Sequence, residues 1–257
     1  MRRLAVALAL STVAGLQAQR PAFEVASIKR NTSANEGASV NGNAGRLTIR
    51  NSPLRNIIRN AWGLQTFQLV GGPDWIDTER WDVAAKVEAG AERQNMMPMV
   101  QNLLADRFKL VTHEETRELP IYALVFARAD HAFGAKLHAS STDCQRAMTE
   151  AIKRSGPPGP NSPLLCGIRS LPGHIELNAS AISPNFTRSL AQTSGRNVVD
   201  KTGLTGGYDA DLTWNESEEG PSLYTAIREQ LGLKLEAQRG TVEVLVIDSV
   251  ERPIEDR

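Results

Sequence analysis

The sequence predicts an α+β fold of two tandem β-α-β-β-α-β-β repeats with mixed, mostly antiparallel sheets. Three observations lead there. The 257 residues are 41% apolar and 23% charged, an ordinary globular composition. One order of strand, helix and turn patterns occurs twice. Turn residues also recur at matching places in both copies.

In the first copy Gly45-Arg46-Leu47-Thr48-Ile49 alternates as a strand does, matched by Gly173-His174-Ile175-Glu176-Leu177. Ser52-Pro53 and Ser183-Pro184 follow, each read as a capping Ser with Pro at the first helical position. The first helix stacks Leu54, Ile57, Ile58, Ala61 and Trp62 on one face and stops at Gly63. Its counterpart runs through Phe186 and Leu190 to Gly195. Short strands come next, around Phe67 to Val70 and Asn197 to Val199, then turns at Gly71-Gly72-Pro73 and Lys201-Thr202-Gly203. The strand Trp81–Val87 matches Tyr208–Trp214, and a second helix follows each, through Met99 to Leu104 and Leu223 to Leu231. Each copy is expected to close with an antiparallel pair of strands, ending at Ile121–Ala127 and Val242–Ile247. The repeats span 23–130 and 167–253, joined by a Pro/Gly-rich segment, 131–166, that carries Cys144 and Cys166. Whether the halves share one sheet or form two docked domains is not readable from periodicity.

Residues 1–19 read as a signal peptide: basic Met1-Arg2-Arg3, apolar Leu4 to Leu16, then Leu16-Gln17-Ala18 before polar residues. That apolar run rises only about 20 Å as a helix, less than a bilayer core of roughly 30 Å. The expectation is cleavage and export to the periplasm or beyond, with no transmembrane segment in the mature chain. Retention as an anchor is the competing reading. Export makes a Cys144–Cys166 disulfide the favoured pairing, across a loop containing Gly156-Pro157-Pro158-Gly159-Pro160. The competing role for either Cys is a nucleophile with His138 or His174 as partner.

Lys and Arg total 29, as do Asp and Glu, so the chain lacks the basic excess of a nucleic-acid-binding protein. His113-Glu114-Glu115 lacks the second His of a zinc-protease helix, and no Gly-x-Ser-x-Gly elbow occurs. Lys201-Thr202-Gly203 matches one element of penicillin-binding enzymes, but their Ser-x-x-Lys is missing. Asp74, Asp77, Glu79 and Asp82 cluster near Trp75 and Trp81, a combination of acids and rings that suits sugars or, equally, a turn leading into a strand. No catalytic, cofactor-binding or metal-ligating residue is assigned, and no cofactor is expected.

Two long motifs are specific. Gly71-Gly72-Pro73-Asp74-Trp75 with Trp81–Lys86 and Leu104–Leu110, and Val198–Asp209, resemble a large exported bacterial family of unknown function, abundant in soil acidobacteria. Some relatives are joined to a membrane metallopeptidase of the β-lactam-sensor type, which implies a sensing or ligand-binding role; this chain lacks that portion. The resemblance supplies no catalytic residue. The expected function is a non-enzymatic exported module that binds a ligand, or an envelope or extracellular protein or polymer. The alternative is a hydrolase of cell-wall or polysaccharide material. The candidate interaction surface is Asp74, Trp75, Trp81, Asp82, Asp200, Lys201, Tyr208 and Asp209.

Overall fold

The computed structural model describes residues 20–33, 37–43, 45–88, 95–156, 162–215 and 220–256. The expected signal peptide and the Pro157–Pro160 stretch fall outside them. The chain runs through β1 (Val25–Asn31), β2 (Ser39–Asn43), β3 (Arg46–Pro53), α1 (Leu54–Trp62), β4 (Leu69–Gly71), α2 (Trp75–Thr78), β5 (Arg80–Lys86), α3 (Met97–Phe108) and β6 (Val111–Phe126). It continues through β7 (Leu137–Ala139), α4 (Cys144–Ser155), β8 (Gly167–Leu171), β9 (His174–Ser180), α5 (Thr187–Ser194), β10 (Val198–Asp200), β11 (Tyr208–Thr213), α6 (Leu223–Ala226) and β12 (Leu233–Ser249). The fold is mixed α+β, and its sheets are mostly antiparallel.

Two compact units form. The first comprises the chain up to Trp62, Asp74–Leu110 and the segment from Glu251; the second comprises Gly63–Pro73 and Val111–Val250. In the first, a sheet in the order β1-β5-β3-β2 carries α1 and α3. Alternation builds it: Trp81, Val83 and Ala85 of β5 are buried while Arg80, Ala84 and Lys86 are exposed. From α1, Leu54, Ile57, Ile58 and Ala61 face the same core, a spacing of one helical stripe. Each such fully buried aliphatic side chain contributes about 1.5–3 kcal/mol. Helix α3 adds Met99, Val100, Leu104 and Phe108, and ends where Lys109 turns left-handed at φ 52°.

The segment after β12 straps the open edge of β1. Asp256 accepts the Ile28 N–H at 2.9 Å and donates its own N–H to the Ile28 carbonyl at 3.1 Å. The Arg107 guanidinium reaches both Asp256 oxygens at 2.7 Å. The Ile28 N–H, and after it Arg107, hold the Asp256 carboxyl below the ordinary aspartate range. A depressed carboxylate adds stability that is complete above its unfolded pKa of about 3.9 and is lost as pH falls through the lower folded value. Arg107→Ala is therefore expected to soften the acid unfolding limb below about pH 4. An unchanged limb in a pH series of denaturant midpoints would count against this pairing.

The second unit holds two sheets. One, in the order β7-β11-β9-β8, packs α5 and α6 over a core that includes Ile175, Leu177, Phe186, Leu190, Leu212, Ile227 and Leu231. The same core takes Leu124 and Leu233 from the other sheet, whose order is β10-β6-β12-β4. There β6 and β12 lie antiparallel along their whole lengths, while β10 runs parallel to β6 and β4 parallel to β12.

Three expectations are corrected. Each half closes with one long strand, 16 residues in β6 and 17 in β12, and these two pair with each other. The charged stretch His113–Glu118 alternates across the ribbon. Pro120 is tolerated within it because Tyr122, of the same parity, sends its N–H outward to the Asn197 carbonyl, so the missing N–H of Pro120 also faces away from β12. Ser183 caps no helix: it is extended at φ −110°, Pro184 follows through a cis peptide, and α5 begins only at Thr187. The segment 131–166 contains β7 and α4, and β7 is an edge strand of its sheet, too short at three residues to register as a pattern.

Cys144, the first residue of α4, is disulfide-bonded to Cys166, just before β8, with their Cα atoms 5.7 Å apart. No helix among the described residues is long and apolar enough to cross a membrane.

Candidate functional site

Four of the eight candidate surface residues serve the fold instead. Trp81 is 1% exposed and meets Phe108 edge-on at 5.2 Å. Tyr208 is buried against Phe133. Neither presents a surface to a partner, because the alternation that recommended their strands points these rings inward.

Asp82 and Asp209 do one job in two places. The Asp82 carboxylate accepts the backbone N–H of Asn51 at 2.8 Å, and Asp209 accepts that of Ala179 at 2.7 Å. Asn51 and Ala179 are non-glycine residues with positive φ, 49° and 46°, at the irregularities where β3 and β9 lose register with their neighbours. A left-handed residue in a strand leaves a backbone amide unpaired, and the aspartate satisfies it. Asp82 also takes the Asn31 amide at 2.9 Å. Asp209→Ala is expected to cost about 1–3 kcal/mol, the usual cost of orphaning such a donor, read as a lower denaturant midpoint.

The other four reach the surface. Asp74 is exposed before α2, and Trp75 is half-buried with the Arg252 guanidinium 4.8 Å above its ring. Arg252 also grips Glu79, through two nitrogens at 2.8 and 3.0 Å, and Arg30 approaches the same carboxylate at 3.3 Å. The Arg252 hydrogen bond holds the Glu79 carboxyl below the ordinary glutamate range. Asp77 is paired with Arg55. In the second unit Asp200 accepts the N–H and hydroxyl of Thr202, and exposed Lys201 reaches Gln238 at 3.0 Å. Lys201-Thr202-Gly203 is thus a turn, with Gly203 at φ 74°.

The sequence reading missed a polar pocket on the sheet of β10-β6-β12-β4. It measures about 410 Å³ and is lined by Gln68, Thr116, Asn197, Thr241, Val242 and Glu243. The short strands place two of these: Gln68 immediately precedes β4 and Asn197 immediately precedes β10. Thr116 and Glu243 are directly opposed across the ribbon, and Thr241 lies two positions from Glu243 on the same face. The floor is exposed strand, and its side chains are free for a ligand. Gln68 is the exception, its amide donating to the Glu243 carbonyl at 3.2 Å. Asp82 and Asp209 also edge smaller pockets on their own sheets, of about 260 and 390 Å³, where their carboxylates are committed to backbone amides.

These features define a mixed α+β protein with one disulfide and a polar pocket on the ribbon of its two longest strands. The chain belongs to the family described as a protein of unknown function, DUF3738, which matches residues 55–250. No curated protein and no solved structure matches it.

Proposed function

We propose that this protein is an exported, non-catalytic binding module of the cell envelope or extracellular space, made of two copies of one unit, with its ligand seated in the pocket of Gln68, Thr116, Asn197, Thr241 and Glu243. The pocket carries this reading, because it gathers polar side chains over the ribbon of the two longest strands. Duplication is supported by sheet order. Raising each strand number in β1-β5-β3-β2 by six gives β7-β11-β9-β8, and exchanging the halves in β10-β6-β12-β4 returns the same order reversed. The paired duties of Asp82 and Asp209 agree with it. Gln68 and Asn197 then occupy matching positions, so each half supplies one wall. Export is supported by the disulfide and by the basic-apolar start of the sequence.

The binding reading is preferred to a hydrolase because, among the acids around Trp75, Glu79 does not suit the role of proton donor. A glycosidase keeps one carboxyl protonated near neutral pH, whereas Arg252 and Arg30 favour the ionised form of Glu79. Crosslinking the mature chain in its native host, followed by capture and mass spectrometry, tests the binding reading. Crosslinked peptides are expected to include 66–72, 112–118 or 239–245, and Thr241→Trp, which fills the pocket from an exposed position, should abolish them. Crosslinks indifferent to Thr241→Trp would remove the ligand from this pocket.

A further inference from the structure

The lining residue Asn197 adjoins a group of aromatic and cationic side chains, Tyr122, Tyr224 and Arg196. Tyr122 adjoins the lining residue Asn197, whose carbonyl accepts the Tyr122 N–H at 2.8 Å. It lies on the same ribbon face as Thr116, six residues earlier in an uninterrupted strand. Its hydroxyl meets that of Tyr224 at 3.0 Å, with the rings 5.8 Å apart. Tyr224 is 43% exposed, a large ring held in solvent by a second ring. The Arg196 guanidinium sits 5.1 Å over the face of Tyr122. Within the pocket, the side chains of Thr116, Asn197, Thr241 and Glu243 make no hydrogen bond to any described residue.

We infer that this surface binds a neutral, polyhydroxylated ligand of the oligosaccharide class, an assignment that rests on the binding reading above and names its ligand. Sugars present vicinal hydroxyls, which each donate and accept, beside patches of C–H. Asn197 and the two threonines both donate and accept, Glu243 accepts from hydroxyl pairs, and Arg196 donates. Tyr224 offers an apolar ring face with a polar tip, the usual amphipathic anchor for such a patch. Glu243 lines the pocket, so a phosphate or sulfate entering beside it meets repulsion, and nearby Arg239 is engaged by Glu118 at 3.7 Å. An apolar ligand would strand the unpartnered groups without hydrogen bonds.

Calorimetric titration of the full mature chain with soluble cello-, xylo-, malto- and chito-oligosaccharides tests this. At least one series is expected to saturate, with affinity rising with chain length. Tyr224→Ala should weaken it by about tenfold, and Thr241→Trp should abolish it. Both substitutions are at exposed positions, and circular dichroism would verify that each variant folds. If none of the four series binds while crosslinks in the host still depend on Thr241, the ligand class is wrong and the binding reading stands. If an oligosaccharide binds with equal affinity to wild type, Tyr224→Ala and Thr241→Trp, this site is wrong.

Discussion

Trp81→Ala is expected to lower the unfolding free energy of the first unit by about 3–5 kcal/mol, the largest effect of any single substitution considered. Trp81 is among the largest fully buried side chains, stacked edge-on against Phe108 at the end of α3. Removing it deletes that contact and leaves a cavity between β5 and α3 that neighbouring Ile and Leu side chains cannot close. Its indole N–H is buried and finds no hydrogen-bond acceptor among the described residues. Trp81→Phe therefore sheds an unsatisfied donor while keeping an aromatic ring, and should cost much less than alanine. Urea unfolding followed by far-ultraviolet circular dichroism distinguishes these. Equal midpoints for wild type and Trp81→Ala would mean that the ring is not in the core. Trp75→Ala, at a half-buried position under Arg252, should stay within about 1 kcal/mol of wild type.

Replacing both Cys144 and Cys166 by Ser is expected to cost about 3 kcal/mol, because the disulfide closes a 22-residue separation that the unfolded chain must otherwise explore. The crosslink ties the start of α4 to the start of β8, and α4 itself offers little core: none of its residues from Cys144 to Arg154 is fully buried. The connection between β7 and β8 thus depends on the covalent tie more than on packing. Dithiothreitol should reproduce the loss in the wild-type protein and do nothing further to the double variant. A wild-type midpoint indifferent to dithiothreitol, with thiol labelling showing full reduction, would contradict this.

What the sequence made legible was the part with local rules. Alternation located β5 and β11, one apolar stripe located α1, and glycine marked its end at Gly63, where φ is 66°. The expected disulfide is present. Longer-range matters were hidden. The ribbon of β6 and β12 is a pairing between strands more than a hundred residues apart, which no local pattern announces. The pocket inherits that difficulty, since Gln68, Thr116, Asn197 and Thr241 belong to no common motif and meet only through strand register. The residues the sequence did offer, Trp81 and Tyr208, stood out because they are large and flank turns, and the fold uses them as core for the same reason. Asp82 and Asp209 looked like surface acids because nothing local predicts a left-handed Asn51 or Ala179 on the neighbouring strand. In this chain the paired motifs near turns report on architecture, while the pocket brings residues of both halves together through strand register.

Binding by the pocket on the long ribbon, without turnover, is tested by co-sedimentation of wild type and Thr241→Trp with purified cell-wall sacculi and insoluble polysaccharides, with soluble sugar measured in the same tubes. Saturable retention of the wild type on at least one polymer is expected, with loss of retention in Thr241→Trp and no release of soluble sugar by either. Time-dependent release of sugar by the wild type, or retention that Thr241→Trp leaves unchanged, would contradict it.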